Sequence, residues 1–185
     1  MKRISYFVCF LILLLGVSAC QQQPKQTAST KHKQAVEKAI SAQDYANILV
    51  TRAVDGDTLV LENGRRVRLI GIDTPEMHES GKLHRDSVRT QQNIETIMAL
   101  GKRSYRFTKD LVEGKRVKLE FDVQKYDRYD RLLAYVYLED GTFVNAEIVR
   151  QGYASLMTYP PDVKYADLFH KLYQEARENK RGLWK

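Results

Sequence analysis

The sequence has almost no cysteine, which limits how its fold can be stabilised. Of 185 residues only Cys9 and Cys20 are cysteines, and both lie close to the N-terminus. Cys9 falls inside an apolar segment with the position of a signal peptide, so we expect the mature protein to lack it. Cys20 would then have no partner, which excludes a disulfide within the mature chain. The fold must depend on its hydrophobic core, with or without a metal ion.

A hydrophobic run long enough to span a membrane is also lacking near the N-terminus. The mostly apolar run extends only from Ile4 to Leu15, whereas a membrane-spanning helix needs roughly 20 residues. Two basic residues precede this run and small residues follow it, as in a secretory signal. We therefore predict that residues 1–19 are a cleaved signal peptide rather than a permanent membrane helix.

The small residues before Cys20 predict a lipid anchor. Val17-Ser18-Ala19-Cys20 is similar to the lipobox of bacterial lipoproteins, in which the cysteine becomes the acylated first residue of the mature chain. The alternative is an ordinary signal peptide with a cysteine near its cleavage site. On the first interpretation Cys20 is lipidated, and the protein is secreted and membrane-anchored on the extracellular face or in the periplasm.

Residues 20–44 and the overall charge indicate a tether and a polyanionic partner. The segment is mainly Gln, Lys, Thr, Ser and Ala, which bury too little apolar surface to offset the entropy of ordering. We predict a flexible linker there and one folded domain over residues 45–185. The formal charge of +7 favours nucleic acid or an anionic membrane surface, and charge alone does not separate the two.

Short strands separated by turn residues predict a small closed barrel. Apolar patterns predict strands over residues 48–54, 58–61, 65–72, 116–121 and 132–137. Asn63-Gly64 is typical of a two-residue hairpin loop, which would place Leu59 opposite Arg68. Five strands followed by helices predict an α+β fold, a five-stranded barrel with about three helices packed beside it.

The helices are predicted between and after these strands. Residues 77–92 are polar without a clear period, which predicts a mobile loop. One or two helices are expected between residues 94 and 113, a short one capped by Asn145 and ended by Gly152, and a last one beginning at Asp162. The apolar face of the last helix is predicted to carry Leu168, Leu172 and Ala176.

Acidic residues next to the predicted hairpin suggest a metal site. Asp57 would lie diagonally from Arg68 on the same face, while Asp73 and Glu76 follow the strand directly. Such a cluster of hard oxygen ligands suits calcium or magnesium. The structural alternatives are a cross-strand ion pair for Asp57 and Arg68, and a turn or helix start for Asp73-Thr74-Pro75-Glu76.

Four motifs in order carry a family resemblance. They are Asp55-Gly56-Asp57-Thr58, the run from Arg68 to Glu76, the run from Asp127 to Tyr135, and Val144-Asn145 with Val149-Arg150-Gln151-Gly152. From about Ile48 to Trp184 the chain resembles the staphylococcal nuclease (thermonuclease) family. The resemblance implies a five-stranded OB barrel with three helices, and a calcium-dependent nuclease that cleaves DNA or RNA to leave 3′-phosphates.

The resemblance also implies a role for individual residues. Asp57 and Asp73 would bind Ca²⁺ through their carboxylates and Thr74 through its main-chain carbonyl. Arg68 and Arg131 would bind the scissile phosphate, while Glu76 would act on the attacking water, either as a base or by orienting it. Substrate contacts would come from Arg128, Tyr129 and Tyr159.

The sequence departs from the family pattern in two places. The segment after Glu76 is longer than in the resembled nuclease, and Thr158 and Pro160 occupy the positions of two substrate-stacking tyrosines, with Tyr159 between them. Two alternatives to a nuclease stay open, a non-catalytic nucleic-acid-binding OB module and a surface lipoprotein that binds an anionic polymer. The sequence implies no protein partner, and we expect a monomer.

Overall fold

The computed structural model describes residues 45–185. The predicted signal peptide, the lipidated Cys20 and the linker therefore lie outside the described residues. Within the described part of the chain, no helix is both long enough and apolar enough to cross a membrane.

The described chain forms a barrel of short strands with helices against it. The strands are β1 (Ile48–Ala53), β2 (Thr58–Leu61), β3 (Arg66–Leu69), β4 (Gly71–Asp73), β5 (Arg116–Glu120), β6 (Leu132–Leu138) and β7 (Ser155–Met157). The helices are α1 (Gly81–Thr90), α2 (Ile94–Val112), α3 (Val144–Arg150) and α4 (Ala166–Glu178), followed by a 3₁₀ turn at Gly182–Trp184.

Five of the strands close into the predicted barrel. Their order is β1-β2-β3-β6-β5, with β5 returning to pair with β1. The pairing of β3 with β6 is parallel, and the other pairings in the barrel are antiparallel. Alternate residues of these strands point inward and are fully buried, among them Val50, Leu59, Val67, Leu132 and Val136. The predicted α+β fold with a five-stranded OB barrel is confirmed.

The hairpin between β2 and β3 differs from the prediction by one residue. Thr58, not Leu59, lies opposite Arg68. The loop has three residues instead of two, because the amide of Leu61 donates to the carbonyl of Arg65 and Gly64 takes a φ of +78°. A left-handed third residue is typical of three-residue hairpin loops. Asp57 lies just before the first residue of β2. With the shifted register, its carbonyl accepts from the amide of Leu69 at 2.9 Å.

The predicted strand over residues 65–72 is broken into β3 and β4 at Gly71. Gly71 has a φ of +83°, and a Cβ there would lie 2.5 Å from the ring of Phe169 on α4. After this break the chain leaves the barrel, and β4 pairs with β7 in a separate two-stranded sheet that the sequence did not predict. This turn of the backbone carries Asp73 to one side of the barrel.

The prediction of a mobile loop over residues 77–92 is wrong, because α1 occupies most of it. Ser80 caps the helix by accepting from the amide of Leu83 at 3.1 Å. Leu83 is the buried residue of α1. With one buried position, the helix lacks the repeating apolar face from which a helix can be predicted in a sequence. The described chain thus has four helices rather than about three.

Two predicted helix starts are also wrong. The cap residue of α3 is Phe143, and the buried Asn145 instead accepts from the amide of Val136 and donates to the carbonyl of Ile70, each at 3.0 Å. Helix α4 begins at Ala166 rather than at Asp162, and its buried face contains Phe169, Leu172 and Ala176 in place of Leu168.

The C-terminal turn is bound to the rest of the domain. The amide of Leu183 donates to the carbonyl of Gly152 at 2.9 Å, and Arg103 on α2 donates to the carbonyl of Gly182 at 2.7 Å. Both glycines have positive φ, and a Cβ on Gly182 would lie 2.4 Å from the carbonyl oxygen of Gln151. The last residues therefore pack against the middle of α2 and the C-terminal end of α3.

Candidate active site

Several parts of the chain meet in a cleft at one side of the barrel. They are the turn before β2, strand β3, the turn after β4, the segment before β6 and the segment after β7. The predicted site residues that line the cleft are Asp57, Arg68, Asp73, Glu76, Arg128, Tyr129, Arg131 and Tyr159. Thr74, the remaining predicted ligand, is buried.

Arg68 lies between two of the predicted metal ligands. Its Nη2 donates to Oδ1 of Asp73 at 3.0 Å, and its Nη1 contacts Oδ1 of Asp57. Only 13% of the Arg68 side chain is exposed. Burial opposes its charge, but the carboxylates of Asp57 and Asp73 outweigh this effect and raise the pKa of Arg68. This is a buried, charged cluster rather than the exposed cross-strand ion pair of the structural alternative.

Asp57 also joins the turn after β4 to the barrel. Its Oδ2 accepts from the backbone amide of Thr74 at 2.8 Å and from the Thr74 hydroxyl at 3.0 Å. Gly56 permits this approach, because a Cβ there would lie 2.6 Å from Cγ2 of Thr74. Burial favours the neutral carboxyl, but the charge of Arg68 and the Thr74 amide outweigh it, so the pKa of Asp57 is lowered. The ionised Asp57 therefore holds the segment that carries Asp73.

Two neighbouring carboxyl groups are harder to ionise. Burial, reinforced by the charge of Asp57, raises the pKa of Asp55 to about 7. Burial likewise raises the pKa of Asp73, although the ammonium of Lys82 acts in the opposite direction. An added cation would favour the charged form of both groups. The acidic side of the cleft is therefore suited to receive positive charge.

Lys82, which the sequence did not suggest as a site residue, lies among the predicted ligands. Its Nζ is 3.0 Å from Oδ1 of Asp73, 3.0 Å from Oε1 of Glu76 and 3.1 Å from the carbonyl oxygen of Thr74. Burial would lower the pKa of Lys82, but Asp73 and Glu76 outweigh it and raise the pKa. Lys82 could have been predicted as a site residue only if α1 had been predicted. The signal in the sequence for this helix was Ser80, a residue type that favours helix caps.

Glu76 is positioned by a close contact with α2. A Cβ on Gly101 of α2 would lie 2.5 Å from the carbonyl oxygen of Glu76 and 2.7 Å from that of Pro75. The helix therefore packs directly on the backbone of this turn. The Glu76 side chain remains 28% exposed and faces the cleft, where it can reach a water molecule.

Arg131 is oriented by Asp127, a residue that the sequence did not suggest as part of the site. Oδ2 of Asp127 accepts from Nε of Arg131 at 2.7 Å, and Oδ1 accepts from the backbone amides of Tyr129 and Arg131. Burial opposes the charge of Asp127, but these hydrogen bonds outweigh it and lower its pKa. Within residues 45–185, neither Nη atom of Arg131 donates to a protein acceptor. Both can bind an anionic ligand in the cleft.

Two exposed tyrosines flank the charged part of the cleft. Tyr129 is 65% exposed and Tyr159 is 69% exposed. The guanidinium of Arg128 lies 4.8 Å from the ring centroid of Tyr129. Exposed aromatic faces beside cationic side chains are typical of surfaces that bind single-stranded nucleic acid.

The oxygens of the cleft suit a hard cation such as calcium, the metal implied by the family resemblance. Carboxylate and carbonyl oxygens are the ligands that Ca²⁺ takes. Those of Asp73, Thr74 and Glu76 already converge on one cationic group, the ammonium of Lys82. Among residues 45–185, however, no group of three or more His, Cys, Asp and Glu side chains is arranged to hold a metal ion. The role of Asp57, Asp73 and Thr74 as metal ligands therefore stays a prediction.

Fold and site together define a class of protein: an OB barrel whose cleft combines clustered carboxylates with arginines. Comparison with known sequences gives the family. The profile described as "Staphylococcal nuclease homologue" matches residues 66–185, and the chain belongs to this family.

Three relatives illustrate the similarity. A thermonuclease of Staphylococcus intermedius is 36% identical over 139 residues, which is 74% of each chain. Endonuclease YncB of Bacillus subtilis is 30% identical over an alignment of 209 positions, which covers 100% of this chain and 92% of the relative. A thermonuclease of Staphylococcus hyicus is 29% identical over 187 positions, covering 100% and 99%.

Proposed function

We propose that this protein is a calcium-dependent nuclease that hydrolyses phosphodiester bonds in DNA, RNA or both. The observation that carries the proposal is the buried Arg68 between Asp57 and Asp73. The same cleft contains the two Nη atoms of Arg131, which bond to no acceptor within residues 45–185. Membership of the staphylococcal nuclease family supports it, as do relatives named thermonuclease and endonuclease.

The two arginines would bind the scissile phosphate. A guanidinium presents paired N–H donors that match two phosphate oxygens, and such donors stabilise the charge that develops on those oxygens. Asp57, Asp73 and the carbonyl of Thr74 would hold the calcium ion, which supplies further positive charge next to the phosphate. Asp127 would keep Arg131 aimed at the phosphate through the hydrogen bond to its Nε.

Glu76 would act on the attacking water. Its partly exposed carboxylate can accept a hydrogen bond from water, and so orient the molecule or take its proton. The water oxygen forms a new bond to phosphorus while the bond from phosphorus to the 5′ oxygen breaks. The 5′ oxygen leaves with a proton, and the products carry a 3′-phosphate and a 5′-hydroxyl.

The substrate strand would extend along the aromatic side of the cleft. Tyr129 and Tyr159 offer faces on which bases stack, and Arg128 adds positive charge for the backbone. These contacts need no particular base sequence. We propose that the protein works as a monomer, because the residues proposed to bind and cleave the phosphate, Arg68, Glu76 and Arg131, line one cleft of a single domain.

Calcium removal gives the direct test. The purified protein should cleave single- or double-stranded DNA or RNA in Ca²⁺ and lose that activity in a chelator, because the phosphate would lose its main counter-charge. Cleavage is followed on gels, and 3′-phosphate ends are identified by their need for a phosphatase before ligation.

The same assay separates the alternatives. Binding of nucleic acid without cleavage in Ca²⁺ would contradict the nuclease and support the non-catalytic OB module. Binding of an anionic envelope polymer, with neither binding nor cleavage of nucleic acid, would support the polymer-binding lipoprotein.

We propose further that the domain acts at the cell surface, held by a lipid on Cys20. The support is the sequence of residues 1–20, which resembles a lipoprotein signal. Blocking lipoprotein signal peptidase should leave residues 1–19 attached, as measured by the mass of the chain.

Cys20→Ser should abolish incorporation of a labelled fatty acid into the protein, because the acceptor thiol is lost. Cys9→Ser is the matched control, since Cys9 would be removed with the signal peptide, and it should leave the incorporation unchanged. A Cys20→Ser protein that still incorporates the label would contradict the anchor.

A further inference from the structure

Lys82 already occupies a position suited to a cation. An ammonium has three N–H donors, and Lys82 Nζ has three oxygen neighbours within 3.1 Å, on Asp73, Thr74 and Glu76. Two of these oxygens belong to carboxylates and the third to a carbonyl. Carboxylate and carbonyl oxygens are also the ligands that a calcium ion requires.

The position of Lys82 is set by a helix rather than by a loose loop. It is the second residue of α1, two positions after the cap formed by Ser80. Leu83, the next residue, is fully buried, and α1 packs on α2. The side chain of Lys82 itself is only 27% exposed. A long side chain on an anchored backbone can leave the oxygens and return to them without unfolding the helix.

We propose that Lys82 is a tethered cation that neutralises the acidic cluster and that a divalent ion must displace it in order to bind. The inference rests on the calcium site of the proposed function, because both cations would use Asp73 and the carbonyl of Thr74. Calcium approaches its ligands to 2.3–2.6 Å, so it would share these oxygens with the ammonium at a separation where two cations repel strongly. The two occupants exclude one another.

Competition of this kind changes affinity in a defined way. The apparent dissociation constant equals the intrinsic one divided by the fraction of molecules in which Lys82 has left the site. Lys82 therefore weakens calcium binding, although it lies among the ligands and favours their charged forms. A residue that only supports the ligands would have the opposite effect, since its removal would loosen them and weaken binding.

Calcium titration of Lys82→Met tests the proposal without measuring catalysis. Methionine keeps most of the length of the side chain but has no charge, so calcium should bind about fivefold tighter, the shift expected from losing partly exposed ion pairs. Isothermal titration calorimetry on the intact protein measures the dissociation constant. Lys118→Met is the matched control, because Lys118 is exposed on β5 and does not line the cleft; its affinity should equal that of the unsubstituted protein.

Thermal unfolding in a chelator tests whether Lys82 neutralises the acidic cluster when calcium is absent. Without calcium, Lys82→Met should melt at a lower temperature than Lys118→Met, since Asp73 and Glu76 lose their counter-ion. Saturating calcium should then raise the melting temperature of Lys82→Met more than that of the control. This second measurement also shows that the variant is folded.

Two results would overturn the proposal while leaving the calcium site in place. They are equal calcium affinity in Lys82→Met and the unsubstituted protein, and weaker affinity in Lys82→Met. Absence of calcium binding by both proteins would overturn the proposal together with the calcium site on which it rests.

Discussion

Replacing Arg131 by lysine should lower kcat about 10³-fold, the loss expected when a preorganised donor to a transferring phosphoryl group is removed. Arg131 uses Nε to bind Asp127, which leaves both Nη atoms available for the proposed contact with the phosphate. Lysine has one ammonium, which would bind the carboxylate of Asp127 and leave no planar fork for the phosphate. The measurement is kcat for cleavage of a short labelled oligonucleotide in saturating calcium.

The same substitution should leave the fold intact. Lysine keeps the positive charge beside Asp127 at this partly exposed position, so the free energy of unfolding should fall by no more than about 1 kcal/mol. Arg128→Lys is the matched control, because Arg128 lines the same cleft and has no carboxylate partner among residues 45–185. It should alter KM a few-fold and leave kcat nearly unchanged. Full turnover by a folded Arg131→Lys protein would remove Arg131 from the catalytic group.

Gly101→Ala should damage both stability and activity. The added Cβ would lie 2.5 Å from the carbonyl oxygen of Glu76, and a backbone atom cannot rotate away as a side chain can. We expect the free energy of unfolding to fall by about 2 kcal/mol, as for other overpacked sites. Displacement of Glu76 by about 1 Å should lower kcat about 10²-fold. Urea unfolding and steady-state kinetics measure the two effects.

Gly81→Ala separates this contact from the general effect of replacing a helical glycine. A Cβ on Gly81 would meet only a terminal nitrogen of Arg85, at 3.4 Å. Alanine is a better helix former than glycine by about 1 kcal/mol, so Gly81→Ala should be as stable as the parent protein or more so. If Gly101→Ala showed the same stability and kcat as Gly81→Ala, α2 would have no part in positioning Glu76.

The barrel could be predicted because its strands carry a regular signal. Inward-facing apolar residues alternate along β5 and β6, and Gly114 ends α2 with a φ of +75°. The register of the β2–β3 hairpin could not be predicted, because Asn63-Gly64 fits a loop of two residues as well as the observed three. The sheet formed by β4 and β7 was missed since three-residue strands are too short to show a period.

The candidate site could be predicted in its composition but not in its internal contacts. Asp57 and Arg68 lie together as the hairpin argument proposed, even though the register differs by one residue. Lys82 was missed because α1 has one buried residue, and Asp127 because its effect is exerted through Arg131. Asn145 illustrates the same difficulty, since a residue type that favours helix caps is also able to satisfy buried backbone groups.

The attachment of the C-terminal turn also makes its contacts slow to form. Leu183 bonds to Gly152, and Gly182 bonds to Arg103, which lies 79 residues earlier in the chain. Contacts between residues far apart in sequence carry a high entropic cost of loop closure, so they form after the local structure of the intervening chain. We therefore expect the backbone amide of Leu183 to gain protection from hydrogen exchange later than the amides within α2 and α3.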